Sequence, residues 1–273
     1  MSSGKKSGCW TEDSKFIFEL IYRLLKIRII PVLLLRGNSV VKPVGFQEDR
    51  VVGDAIASVK VFSKRFADEM IIIDIDATKN GHRDLTLIKK LSRECVMPLT
   101  LGGGISDLMG AEDLFASGAD KVSINSSFYS NPSLMSTIAA RFGSQAVVFS
   151  LDIKIVDSIS YAVSHCGSVL ESITGLDAAK KAADYGAGEI LLNRVDKDGT
   201  MTGYDTDLIR KISGSIEIPL VAVGGCGSGA DCVKAVKAGA SAVAAGSIFF
   251  WVGESIMSIK EHMNAEGLEV RLL

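Results

Sequence analysis

The chain has 273 residues, 47% of them hydrophobic and 23% charged, which is enough apolar material for the core of one large α/β domain or two small ones. A formal charge of -2 gives no electrostatic case for nucleic acid or an anionic membrane, and no apolar run reaches the roughly 18 residues that a spanning helix needs. Cys9, Cys95, Cys166, Cys226 and Cys232 are scattered without a C-x-x-C pair, so neither a disulfide framework nor a zinc site is indicated and a reducing cytoplasm is the expected compartment.

Residues 1–25 read as an N-terminal extension, with 26–273 as the main domain. The first fifteen are polar and carry Trp10, and 16–25 is apolar but interrupted by Glu19 and Arg23, which makes a poor signal peptide. An amphipathic helix or a frayed tail is expected there, with a natural start near Leu24 or Leu25 as the alternative. Next comes "IIPVLLLRGNSVVKPVGF", a buried strand, a glycine-containing turn and a polar loop. Apolar runs at 28–35, 70–76, 97–102, 121–125, 146–152, 189–193, 219–224 and 242–246 have the near-continuous burial of a parallel sheet covered by helices. Amphipathic stretches separate them, from "DAIASVKVFSKRFA" to "GADCVKAVKAG", and "ESIMSIKEHMNAEG" follows the last. Eight strand–helix units predict an α/β chain folded as a (β/α)8 TIM barrel.

The barrel also repeats itself. "PLTLGGGI" returns as "PLVAVGGCG", "SGADKVSIN" as "AGASAVAAG", and "DEMIIIDID" as "GEILLNRVD", each about 120 residues later. This spacing suggests two half-barrels with equivalent loops facing one another across one mouth. Gly102, Gly103 and Gly104 end the third strand and Asn125, Ser126 and Ser127 the fourth; Gly224, Gly225 and Gly227, then Gly246 and Ser247, repeat the pattern. Glycine admits backbone N–H groups close to an anion, so each half can cradle a phosphate, although single Gly-Gly pairs also serve plain tight turns. Asp74 with Asp76 and Asp196 with Asp198 stand at strand ends, but no histidine or third acid joins either pair at a metal-binding spacing. No metal or other cofactor is therefore expected, and hydrogen bonds to mouth loops or to substrate hydroxyls are the better reading. His82, His165 and His262 are isolated, and His165 with Cys166 reads first as a loop pair and only second as a nucleophile couple.

The segments "GDAI", "LGGGI", "GADKVSIN", "NPSL", "FGSQAVV", "GAGEILL", "DKDGTMTGYD", "GADCVKAVKAGA" and "VRLL" are similar to those of the cyclase subunit of imidazole glycerol phosphate synthase, in the histidine-biosynthesis barrel family. The resemblance runs through the whole barrel. It implies a heterodimeric glutaminase partner whose ammonia crosses the barrel to a bis-phosphorylated small molecule. It also implies two catalytic aspartates dividing acid and base roles, ending strands one and five. The strand-five residue matches as Asp152 in "FSLDIKIV", whereas the strand-one position holds Leu34 in "PVLLLRGN". Arg28, Glu69, Lys121 and Glu189 map to the family's charged ammonia gate, with an ion-paired barrel floor as the plainer alternative for four charges at strand starts. Lys42, Asp198 and Thr200 fall on the loops that would meet substrate, and Lys154 is a further loop lysine.

A conduit without the first acid resembles paralogues found with surface-polysaccharide genes, which partner a glutaminase and a sugar amidotransferase in amidino-sugar formation. A true histidine-pathway cyclase and a catalytically silent activator of a glutaminase are the alternatives. A sister isomerase shares the half-barrel symmetry, but "DKDGTMTGYD" fits the cyclase side better.

Overall fold

A computed structural model describes residues 26–47 and 50–272, so the expected N-terminal extension lies outside the described residues. The elements in chain order are β1 (Arg28–Arg36), β2 (Ser39–Val41), β3 (Val51–Asp54), α1 (Ala55–Ser63), β4 (Met70–Asp74), α2 (Ile75–Asn80), α3 (Leu85–Glu94), β5 (Leu99–Gly102), α4 (Leu108–Ala116), β6 (Lys121–Ile124), α5 (Ser126–Ser130) and α6 (Ser133–Phe142). The second half continues through β7 (Val147–Val156), β8 (Ile159–Ser164), β9 (Val169–Thr174), α7 (Gly175–Asp184), β10 (Glu189–Arg194), α8 (Thr206–Ser213), β11 (Leu220–Val223), α9 (Gly229–Lys237), β12 (Ala242–Ala245), α10 (Ile248–Trp251) and α11 (Ile256–Ala265).

Strands β1, β4, β5, β6, β7, β10, β11 and β12 pair in parallel in that order, and β12 returns to β1, which closes a (β/α)8 barrel. All eight expected strands are present. Because a barrel strand is buried on both faces, alternate residues serve two cores. Ile30, Val32, Ile71, Val148, Leu191, Val221, Ala242 and Ala244 fill the interior. Their sequence neighbours Ile29, Leu33, Ile72, Phe149, Ile190 and Val243 pack outward against the helices.

Aspartate starts several of these helices. Asp84, for example, accepts hydrogen bonds from Thr86 N and Leu87 N at 2.9 and 3.0 Å, satisfying amides that the first turn leaves free. Asp54, Asp74, Asp107 and Asp205 do the same for α1, α2, α4 and α8.

Two features of the mouth lie outside the eight strand–helix units. The stretch expected as a polar loop after β1 instead folds back, with β2 pairing antiparallel to β1 and to β3. A turn at Gly37, with a φ of +54°, permits the reversal. At the other side β7 runs on past Asp152 and folds back as β8 and β9, an antiparallel flap whose tip, His165 to Ser168, reaches the mouth.

Candidate active site

At the N-terminal end of the barrel Arg28, Glu69, Lys121 and Glu189 close into a ring. Arg28 donates to Glu69 at 2.8 Å and to Glu189 at 2.5 Å, while Lys121 reaches the same two carboxylates at 3.1 and 2.9 Å. Every cation therefore touches both anions. Burial opposes the charge on Arg28, but Glu189 and Glu69 outweigh it and raise the guanidinium above its ordinary pKa. Above the ring the interior is mainly apolar, with the buried hydroxyls of Thr100 and Ser123 on one wall.

The C-terminal end opens into a cavity of about 1040 Å³. Asp152, Lys42, Asp198, Gly103, Gly104, Asn125, Ser126, Gly224, Gly225, Gly246 and Ser247 all line it. Gly102 and Thr200 do not. Gly102 sits within the wall, where a Cβ would meet Ile73 at 2.6 Å and Ser123 at 2.9 Å, so its smallness serves barrel packing. Thr200 turns back to bond the Lys197 carbonyl and the Thr202 hydroxyl. Gly103 and Gly225, with φ of +108° and +100°, are positions where an L side chain is strained. They also lie against the Asp74 and Gly203 carbonyls, where a Cβ would approach to 2.1 and 2.4 Å. The two Gly-Gly turns follow the third and seventh barrel strands, so they face one another across the mouth as the repeat predicts.

Asp152 is the central carboxylate. Asn125 Nδ2 donates to one of its oxygens at 3.2 Å, and Asn193 Nδ2 donates to the other at 3.3 Å. Burial raises its pKa to about 7; the Asn193 hydrogen bond works against this and the Asp198 charge adds to it. Lys42 is buried too, donating to the Val32 carbonyl at 2.5 Å, and desolvation lowers its pKa to about 8 against the attraction of Asp198. Asp198 rises to about 6 by burial, restrained by Lys42. Three groups that titrate around neutrality thus face one chamber, the condition general acid/base chemistry requires.

Leu34 occupies the inward register of β1 beside Ile73 and lines the same cavity. The mouth wall opposite Asp152, on the first barrel strand against the fifth, is therefore apolar. Beside it Arg36 pairs with Asp76 at 3.3 Å, while Asp74 caps α2 and Asp196 meets Arg194 at 3.6 Å. These strand-end acids make hydrogen bonds and ion pairs, and among the described residues no group of three or more metal-ligating side chains forms. His165 turns to the Ser164 hydroxyl at 2.8 Å, whereas the Cys166 sulfur points to the Ile75 carbonyl at 3.9 Å, so the pair reads as a loop tip and not as a nucleophile couple.

Asn193 is the site residue that the sequence reading passed over. It ended an apolar strand two steps beyond Leu191 and four beyond Glu189, a spacing that keeps all three facing inward. Register then sets it beside Asp152.

The sequence profile of the family described as histidine biosynthesis protein matches residues 28–253. The chain belongs to that family. The imidazole glycerol phosphate synthase subunit HisF of Chlorobaculum tepidum is 40% identical over 251 residues, covering 91% of this chain and all of the relative. A Vibrio vulnificus (strain YJ016) protein provisionally named imidazole glycerol phosphate synthase subunit hisF3 is 40% identical over 241 residues, covering 86% of this chain and 92% of the relative. A Campylobacter jejuni protein provisionally named subunit hisF2 is 38% identical over 250 residues, covering 92% of this chain and all of the relative. Among the described residues no helix is long and apolar enough to cross a membrane.

Proposed function

We propose that the barrel is a cyclase-type subunit of the imidazole glycerol phosphate synthase kind, which receives ammonia from a glutaminase docked at the ring and uses or passes it at the Asp152 chamber. The observation that carries this reading is the alignment of parts. An ion-paired gate closes one end of the barrel, and three near-neutral titratable groups lie between opposed Gly-Gly turns at the other. Ammonia kept inside the apolar interior escapes protonation by bulk water and stays nucleophilic.

In this reading the turns at 103–104 and 224–225 hold the two phosphates of an elongated substrate, and Asp152 moves protons at its reacting centre. Leu34 removes the opposing acid, so the subunit serves ammonia delivery better than cyclisation. A sugar amidotransferase making an amidino group is an acceptor of matching chemistry. The histidine-pathway cyclase remains the second reading, favoured by Asp198, whose elevated pKa could stand in for the absent acid. The deciding experiment measures glutamine hydrolysis by the glutaminase with and without this chain, and in parallel the cyclisation of a bis-phosphorylated ribulosyl aminoimidazole carboxamide with ammonium supplied directly. Activated glutamine hydrolysis with feeble cyclisation supports the proposal. No activation of any glutaminase encoded nearby overturns it.

A further inference from the structure

Behind the second Gly-Gly turn lies a thiol pair that nothing in the proposed chemistry uses. The sulfurs of Cys226 and Cys232 are 3.5 Å apart. Cys226 sits in the turn after β11 and lines the mouth cavity, whereas Cys232 lies in α9 and is 1% exposed. The Tyr204 side chain closes the pocket, with its hydroxyl bonded to the Ala244 carbonyl at 3.0 Å. A disulfide needs its sulfurs about 2.05 Å apart, so bridging this pair requires them to approach by roughly 1.5 Å.

That approach has a structural consequence. The turn is held in a close fit against the 201–203 segment: Gly203 N donates to the Gly225 carbonyl at 2.7 Å, and a Cβ at Gly227 would stand 2.3 Å from the Met201 carbonyl. Drawing Cys226 towards Cys232 therefore disturbs this fit and moves the backbone that faces the cavity.

We propose that Cys226 and Cys232 form a redox-sensitive dithiol, which a small peroxide closes to a disulfide that distorts the 224–227 turn and weakens its hold on phosphate. The thiolate of Cys226 attacks one peroxide oxygen. The S–O bond forms as the O–O bond breaks, and the departing hydroxide takes the proton Cys226 has lost, giving water. Cys232 then attacks the sulfenic sulfur; the S–S bond forms, the S–O bond breaks, and the second hydroxide leaves as water with the Cys232 proton. The two sulfurs give up two electrons, which reduce one peroxide to two waters. The order of attack fits the environment: contact with Cys232 lowers the Cys226 thiol's pKa against the effect of burial, while the same contact raises Cys232.

The consequence for phosphate rests on the cradle reading above; the disulfide itself does not. The test treats the full-length reduced protein with hydrogen peroxide, alkylates it under denaturing conditions, and maps tryptic peptides by mass spectrometry. Inorganic phosphate binding is measured calorimetrically before oxidation, after it, and after dithiothreitol. The expected result is a 212–234 peptide two hydrogens lighter that resists alkylation, with the phosphate dissociation constant raised about tenfold, or ~1.4 kcal/mol, and restored by reductant. Cys232→Ser, or Cys226→Ala should the first variant fold poorly, abolishes both changes. Full alkylation of both cysteines after peroxide overturns the dithiol, and a disulfide that leaves phosphate affinity unchanged overturns the coupling. Failure of the reduced protein to bind phosphate overturns the cradle reading and the affinity clause together, while the peptide map still decides the dithiol.

Discussion

Replacing Leu34 by aspartate restores the carboxylate that the family resemblance calls for and asks whether the rest of the chamber still works. Leu34 stands at the cavity edge, packed like Ile73 and Val223 against the interior cluster but not fully buried. A fully buried leucine costs about 2–5 kcal/mol on truncation, so a partly exposed one should cost roughly 1–2 kcal/mol, which a folded barrel tolerates. The gain lies on the transition-state side. A placed general acid or base contributes about 10²–10⁴-fold, or roughly 2.7–5.5 kcal/mol at 1.36 kcal/mol per decade, so Leu34→Asp should raise ammonium-dependent cyclisation by at least about 10²-fold. Leu34→Asn supplies the control, because it brings the same size and polarity without a transferable proton and should leave turnover near that of the parent. The assay follows loss of the ribulosyl substrate at saturating ammonium without the glutaminase. Calorimetry of substrate binding accompanies it, so that a dead variant with an empty site is not mistaken for a chemical failure. The reasoning is refuted if the parent already cyclises at the rate of a dedicated enzyme, or if Leu34→Asp binds substrate and gains nothing.

Three further outcomes are expected. Lys121→Met should cost about 1–3 kcal/mol by urea denaturation, less than the 3–5 of a fully broken buried pair because Arg28 still holds both carboxylates, and should release free ammonia in the coupled assay while Asp152→Asn leaves glutaminase activation intact. Inorganic phosphate at about 100 times its dissociation constant should add roughly 2.7 kcal/mol to stability, and no thermal shift at millimolar phosphate removes the cradle. Because burial lifts Asp152 to about 7, above its unfolded range near 3.9, the native state holds the proton more tightly; stability is fully present below pH ~4 and declines as pH rises through ~7, by up to about 4 kcal/mol. Asp152→Asn should lack that decline, and a difference between the two proteins that stays flat over pH 4–7 shows that the carboxyl is ordinary.

The barrel was legible because its strands are buried on both faces, which leaves uninterrupted apolar runs that no surface strand carries. Elements lacking that burial were harder to read. The segments "ISYAVS" and "VLESIT" form a partly exposed antiparallel flap whose alternation is weak, and α2 follows directly on β4 with the polar sequence "IDATKN" and no apolar stripe to announce it. The site divides in the same way. The glycines and the segments that carry the resemblance point to the mouth, but the placement of Asn193 arises from cross-strand register with Asp152, 41 residues away, which no local pattern encodes. In the sequence Lys42 reads as a loop lysine that would meet phosphate or substrate, with nothing to indicate its burial. Its ammonium is buried beneath Gly246, where a Cβ would come within 2.1 Å of Nζ, so that glycine makes room for a cation as well as forming a turn.

Leu34 shows how a missing acid can hide within a good pattern. Catalytic residues usually betray themselves as faults in local logic, a charge ending an apolar strand or a polar group on an inward register, because chemistry is placed where packing alone would not put it. At the fifth strand the fault is present: Asp152 interrupts "FSLDIKIV" on the inward face and is lifted to about 7 by its burial. At the first strand "VLLL" has no fault, and the inward row Ile30, Val32, Leu34 continues the interior cluster to the cavity's edge. The strand is therefore better packed and less equipped than its partner across the mouth. The same apolar wall that leaves the chamber without a second acid also extends the apolar interior from the ion-paired ring towards the cavity, so under the proposed function one residue would weaken cyclisation and favour ammonia delivery together.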